Sequence, residues 1–221
     1  MSQSSSYLLR VRLPDQPGVL GRVATALGSA GADIESIAVV DRADGYAVDD
    51  LVVALPPGAL ADRLVSAVTA IPGVIVETVQ RHHGRSRMYD DLTLLDLATT
   101  SREPLLALVE GLPGLLQVSY ALVVARNKAG VIDVLAASAG APDSPMRDWL
   151  PVDGPQTPDA AAVWADPSAA GPDCELLAMP YRTNAVLLLG RMGGPAYLPT
   201  EVTRVAHLAR VARALFAEIG R

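Results

Sequence analysis

Hydrophobic and polar positions alternate from the start of the chain, where Leu9, Val11 and Leu13 are separated by Arg10 and Arg12. A period of two is that of a half-buried strand. The period then changes. Leu20, Val23, Ala24 and Leu27 share one face of a helix predicted over residues 19–30, and Gly31 supplies its stop. Ile34 to Val40 reads as a second strand, Arg42-Ala43-Asp44-Gly45 as a turn, and Tyr46 to Leu55 as a third strand. Pro56-Pro57-Gly58 breaks that run. Leu64, Val65, Val68 and Ile71 mark a second amphipathic helix closed by Pro72-Gly73, and Val74 to Val79 reads as a fourth strand. The order β-α-β-β-α-β predicts a ferredoxin-like sandwich, one sheet with its helices on one face.

A polar stretch, Arg81-His82-His83-Gly84-Arg85-Ser86-Arg87, reads as a solvated linker, so two domains are expected, residues 1–83 and 84–221. It is too short and too poor in aromatics for a nucleic-acid patch, and adjacent histidines rarely face one ion. Beyond it, Tyr89 to Thr99 and Glu103 to Leu112 have helical spacing. Leu115 to Ala125 reads as a long apolar strand, and Asn127-Lys128-Ala129-Gly130 turns it into a hairpin with Val131 to Ala137. Residues 138–173, rich in Pro, Gly, Ala and Asp, predict an irregular crossover with one short helix at 158–164. Such a segment is usually functional or mobile. Glu175 to Met179 and Ala185 to Leu189 are strand-like. From an N-cap at Thr200, followed by Glu201, a helix is predicted to Ile219 with Val205, Leu208, Ala212, Leu215 and Ile219 inward. The whole is α+β.

Composition narrows the function classes. The 221 residues suit two domains of about 100 each. Half the residues are hydrophobic, but only two Trp, six Tyr and one Phe are aromatic, too few for nucleic-acid stacking platforms. A net charge of −6 points away from polyanionic partners. The single cysteine excludes an internal disulfide and predicts a reducing cytoplasm. The polar lead-in Met-Ser-Gln-Ser-Ser-Ser is no secretion signal, and no apolar run approaches the ~20 residues of a membrane span.

The loop Leu13-Pro14-Asp15-Gln16-Pro17-Gly18-Val19-Leu20 carries more punctuation than a strand-to-helix turn requires. Pro17 presets φ, and Gly18 permits a positive φ or a close approach to a ligand. The N–H groups of Gly18, Val19 and Leu20 would point out of the helix N-terminus, which favours a carboxylate. The alternative is that Asp15 caps the helix and Gly18 only turns the chain. Asp15 to Leu20, followed by the helix and Gly31-Ala32-Asp33-Ile34-Glu35-Ser36-Ile37, closely resembles the ACT domain family over about residues 6–82. The resemblance implies regulation by a small molecule, most often an amino acid, held at a homodimer interface. The ligand contacts it implies are Asp15, Gln16, Pro17, Gly18, Val19 and Leu20, with Asp33, Ile34 and Ser36 on the second strand of a neighbouring subunit. Asp33 stands where many members have Asn, a charge that either weakens carboxylate binding or meets an ammonium. Many ACT domains only dimerise. The second strand, an edge with one charge and no Pro, calls for a covering copy.

Residues 88–219 are similar in pattern to the GAF domain, a small-ligand sensor fold. The likeness lies in Leu177-Ala178-Met179-Pro180-Tyr181, Val186 to Gly190, and Pro199-Thr200-Glu201-Val202. Trp149, Trp164 and Tyr181 are candidates for a pocket wall there, with core packing as the alternative. Catalysis is not expected. Cys174 sits between Asp173 and Glu175, which raise a thiol pKa. His207 lies among apolar residues, and Asp49-Asp50 and Asp90-Asp91 are adjacent pairs whose members point apart in a strand. Ser138-Ala139-Gly140 lacks a nucleophile elbow, and no phosphate-binding or metal motif occurs. The reading is a sensor without cofactor or metal that binds an amino acid and signals to a separate partner protein, with no nucleic-acid or membrane partner. A structural dimerisation adaptor and an enzyme using the 138–173 segment as a lid are the alternatives.

Overall fold

The computed structural model describes residues 5–43, 45–82, 90–143, 146–150 and 152–219. The chain divides into two compact units, Met1–Ser86 and Arg87–Arg221. The boundary expected at 83/84, the linker from His83 onward and Asp44 of the first turn lie outside the described residues.

The first unit follows the β-α-β-β-α-β order: β1 Ser5–Pro14, α1 Val19–Ser29, β2 Asp33–Ala43, β3 Tyr46–Leu55, α2 Asp62–Thr69 and β4 Ile75–His82. Its sheet is antiparallel, in the order β2-β3-β1-β4. The alternation in β1 does what period two requires. Leu9, Val11 and Leu13 join Ala47, Leu51, Val53 and Leu55 of β3 in one core, closed by Val19, Val23 and Leu27 of α1 and Leu64 and Val68 of α2. Gly31, with φ +84, ends α1; Ala32 N–H donates to Leu27 O at 3.0 Å and Gly31 N–H to Gly28 O at 2.9 Å. This is the glycine-terminated helix end, in which the left-handed residue turns the chain back onto orphan carbonyls.

On the opposite face of the sheet Arg10 and Asp50 are direct cross-strand partners. Arg10 Nε donates to Asp50 Oδ1 at 2.9 Å and Nη2 to Oδ2 at 3.0 Å, both residues buried. The edge strand β2 has two bulges, between Ile34 and Ser36 and between Val39 and Asp41. Each extra residue resets which side chains face the helices. Between the bulges, Ile37 and Val39 turn to the helix side yet stay 42% and 50% exposed.

The second unit comprises α3 Asp90–Thr100, α4 Pro104–Leu116, β5 Tyr120–Arg126, β6 Ile132–Ala137, α5 Ala160–Val163, a short 3-10 turn at Pro167–Ala170, β7 Cys174–Arg182, β8 Ala185–Met192 and α6 Pro199–Ile219. Its antiparallel sheet has the order β6-β5-β8-β7. The strand expected from Leu115 starts later, at Tyr120. Leu112, Leu115 and Leu116 instead bury at helical spacing, so α4 continues past Pro113 until Gln117, at φ +54, stops it. Nor does Thr200 cap α6. Pro199 opens the helix, where its missing N–H costs nothing, and Glu201 Oε2 accepts the Leu198 N–H at 3.0 Å. Leu215 is exposed and Phe216 beside it is the inward residue, while the side chain of Ile219 lies outside the described residues.

Both faces of this sheet are covered over β5, β8 and β7, while Val134 and Leu135 of the edge strand β6 stay exposed. Helices α3, α4 and α6 pack on Ala121, Val123, Leu177, Met179, Leu187 and Leu189. The segment expected to be an irregular crossover with one short helix packs on the other face, with Trp164 fully buried against Tyr120, Leu122, Val186 and Leu188. It is tied down by backbone bonds, Gln156 N–H to Ala178 O at 2.9 Å and Ala178 N–H to Gln156 O at 2.7 Å. Burial on both faces explains why β5 and β8 read as unbroken apolar runs. Asn127 Oδ1 accepts the N–H groups of Ala129 and Val131, which holds the β5–β6 turn.

Arg191, at the end of β8, ties three elements together. Its guanidinium donates to Leu116 O and Gln117 O at the C-terminus of α4, to Pro195 O, and to Glu201 Oε1 at 2.9 Å, and lies 4.3 Å from the centre of the Tyr197 ring.

Candidate ligand-binding site

The loop between β1 and α1 is built by backbone. Asp15 N–H donates to Gly45 O at 3.0 Å and Gln16 N–H to Pro14 O at 2.8 Å, which fixes the exit from the strand. Gly18 is the N-cap of α1 at φ +87, a conformation L side chains rarely adopt, and no side chain caps the helix. Asp15 is therefore not the cap. Val19 N–H donates to Gln16 O at 3.3 Å, and the Val19 side chain is buried in the core, so its N–H is not one of the outward donors. Among the described residues, the N–H groups of Gly18, Leu20 and Gly21 have no hydrogen-bond partner. Asp15, Gln16, Pro17 and Gly18 are exposed. Open donors at the positive end of a helix favour an anion.

Asp33, Ile34 and Ser36 are not brought to this loop within one chain. Asp33 pairs with Ala54, whereas the loop leaves β1 at Pro14, opposite Tyr46. The two places are eight residues apart along β3, about 26 Å. The bulge at Glu35 also splits the set. Ile34 faces the helices and packs on the core, while Ser36, opposite Val52, faces the other side.

The sequence pattern set Asp49 aside as half of an adjacent acid pair. The two neighbours Asp49 and Asp50 do point apart, but their surroundings differ completely. Asp50 meets Arg10. Asp49 shares the helix side with Ala47 and Leu51, opposite Val11 and Val39, and is 2% exposed with its Oδ1 accepting no hydrogen bond. Burial raises its pKa; the Arg42 charge opposes the shift, and Asp50 and Asp15 add to it. The signal was available, because an acid stands at a position whose period-two neighbours are all core residues.

A carboxyl whose folded pKa lies above its unfolded one binds protons more tightly in the folded state. Stability is then lost as pH rises from the ordinary aspartate range, about 4, through the folded-state pKa, and is level beyond it. Asp49→Asn is expected to stabilise the protein at neutral pH, because a buried neutral amide costs less to desolvate than a buried carboxylate. The difference should shrink toward acid pH. Urea unfolding of both forms across a pH series checks this, and an Asn variant less stable at pH 7 would contradict it.

The candidates in the second unit arrange differently. Tyr181 is buried on the helix side of the sheet, while Trp149 and Trp164 pack on the crossover side, so the three do not form one wall. Burial pushes the Cys174 thiol up, and the Glu175 charge adds to it against a 3.6 Å contact with the Tyr120 hydroxyl. Ser138 Oγ is occupied in accepting Ala121 N–H at 2.8 Å. His207 is exposed beside a groove of about 420 Å³ between α3 and α6, where Arg204 pairs with Asp91 at 3.1 Å. The side chain of Asp90 lies outside the described residues. Among the described residues no cluster of His, Cys, Asp or Glu could hold a metal, and no helix is long and apolar enough to cross a membrane.

The fold and loop together define a ferredoxin-like domain with an uncapped, anion-favouring helix start after its first strand. The family model of the ACT domain matches residues 7–73, and that segment is an ACT domain. Among solved structures the chain is similar to a homoserine dehydrogenase from Thiobacillus denitrificans, at 19% identity over 36% of this chain and 17% of that one, with a TM-score of 0.29. It is also similar to an ACT domain protein from Streptococcus pneumoniae, at 14% identity over 38% of this chain and 100% of that one, TM-score 0.31. A third is the ACT domain from GTP pyrophosphokinase of Chlorobium tepidum, at 18% identity over 36% and 99%, TM-score 0.27. The chain thus spans under a fifth of the dehydrogenase it resembles. No curated protein matches the chain.

Proposed function

We propose that this is a non-catalytic regulatory protein of the cytoplasm. Its ACT unit binds an amino acid through the ligand's carboxylate, at the interface of a homodimer, and the bound state is signalled to a separate partner protein. The observation that carries this reading is the exposed, uncapped N-terminus of α1, with open N–H groups at Gly18, Leu20 and Gly21. The dimer is supported by β2, an edge strand with Ile37 and Val39 exposed on the helix side. Two β2 strands paired antiparallel about Ala38 would set Asp33 to Ser36 of one copy beside Val40 to Ala43 of the other. That is the loop end of the sheet, where the second set of implied contacts is needed. The second unit is read as a GAF-like relay.

A thermal-shift screen of the proteinogenic amino acids finds the ligand, because binding to the folded state alone raises stability by mass action. Gly18→Asp is then expected to weaken the best ligand roughly tenfold or more, since one lost bond to a charged group is worth about 1.5–3 kcal/mol. Nothing lies within 4 Å of a Cβ built at Gly18, so the variant should fold, with Asp among the residues that best tolerate a positive φ. Equal affinities by calorimetry would make the loop only a turn, and no shift with any amino acid would favour the adaptor reading. In sedimentation at micromolar concentration the wild type should be a dimer. Ile37→Lys, a charge of the kind that blocks edge pairing, should be a monomer.

A further inference from the structure

Asp49 is a buried acid with no ion-pair partner among the described residues. Its neighbour Asp50 takes Arg10 on the other face of the sheet. Arg42, the basic residue that lowers its pKa, attracts it through space without a hydrogen bond or ion pair. The other charges that act on it, Asp50 and Asp15, are both negative. Its Oδ1 is unpartnered at 2% exposure. Nor is it deep: Val39, its partner on the edge strand, is half exposed, and Arg42 is exposed. Three residues along β3, opposite Pro14, begins the loop that leads to the open N–H groups of α1.

We propose that Asp49 is the counter-charge for the ligand's ammonium group, so that the ACT unit selects a zwitterion: an anion on the α1 N-terminus and an amine against Asp49. This rests on the amino-acid reading above and sharpens it. A carboxylate kept without a partner is a defect in the empty protein and an asset only when a cation arrives. The desolvated pair then makes the amine, not the carboxylate, the group that is discriminated, because a ligand lacking it leaves the buried acid unpaired. It also couples binding to protons. The raised carboxyl must ionise to meet the amine, so binding should release a proton over the range in which Asp49 is protonated in the free protein.

The test uses the full chain and the amino acid that most stabilises it among the twenty proteinogenic ones. Calorimetric titrations compare that amino acid with its 2-hydroxy counterpart, on wild type and Asp49→Asn. Wild type is expected to prefer the amino acid by tenfold or more, and the variant to lose most of that preference while binding the hydroxy acid as wild type does. If the best ligand is lysine, norleucine is added beside the hydroxy acid as a second arm, and the arm that loses the discrimination identifies the amine. Should Asp49→Asn not fold, wild-type titrations in buffers of different ionisation enthalpy decide: proton release near the acid end supports the proposal, and none overturns it. Equal discrimination in both proteins overturns the proposal and leaves amino-acid binding standing. No amino acid bound by wild type overturns both.

Discussion

Asp50→Ala is expected to lower the unfolding free energy by about 3–5 kcal/mol, the usual cost of removing one partner of a buried ion pair. The pair is bidentate and dry, with the side chains of Arg10 and Asp50 at 6% and 1% exposure. Alanine would leave a guanidinium that cannot deprotonate on a face where Leu8, Val48 and Val52 are also buried. The remedy is as informative as the damage. Arg10→Met combined with Asp50→Leu removes both charges and should recover to within about 1 kcal/mol of wild type, since well-packed apolar residues replace such pairs at little cost. Urea unfolding of Arg10→Met, Asp50→Leu and the double variant closes the cycle. A loss under about 1 kcal/mol for Asp50→Ala would mean that the pair is hydrated in solution. The contrast with Asp49→Asn is sharp, for neighbouring acids are expected to have effects of opposite sign.

Glu201→Ala should cost about 3 kcal/mol, for two reasons that a single residue combines. It leaves Arg191, whose side chain is 3% exposed, without its carboxylate. It also frees the Leu198 N–H at the start of α6, a lost capping interaction of about 1 kcal/mol. The carbonyls of Leu116 and Gln117 would keep part of the guanidinium's hydrogen bonding, which places the effect toward the lower end for a buried pair. Glu201→Gln keeps the cap and loses the charge, so it should fall between wild type and Ala. Thermal and urea unfolding of the three proteins check the order, and Gln as damaging as Ala would assign the whole effect to the charge.

Much of this molecule could be read in advance where the controlling interactions are local. Period two in Leu9, Val11 and Leu13, helical spacing in Val23 and Leu27, and the stop at Gly31 depend on residues a few positions apart, and each element formed where its pattern lies. The loop from Asp15 to Leu20 was legible for the same reason: a proline and a glycine before a helix declare its backbone. Where several demands met, the sequence was ambiguous. Leu115 and Leu116 fit a strand or a helix, and α4 took them because its buried face continued. Thr200 looks like a cap until Pro199 claims the first helical position. Leu215 and Phe216 differ by one residue, and contact with the core chose the larger side chain.

The sequence by itself determined the order of elements, the ACT domain and the donor-rich loop, since these follow from spacing and from the conformations that Pro and Gly allow. Only the tertiary structure decided which polar residues have partners. Arg10 finds Asp50 forty residues away, Arg191 finds the end of α4 more than seventy residues earlier, and Asp49 Oδ1 finds no hydrogen bond among the described residues. Two bulges in β2 decided which of its side chains face the helices, and packing laid Trp149, Leu150, Val163, Trp164 and Ala170 of the crossover against the core. These outcomes depend on pairings between distant segments, which leave no period in the chain. A charge buried without a partner is visible only when everything around it has been placed.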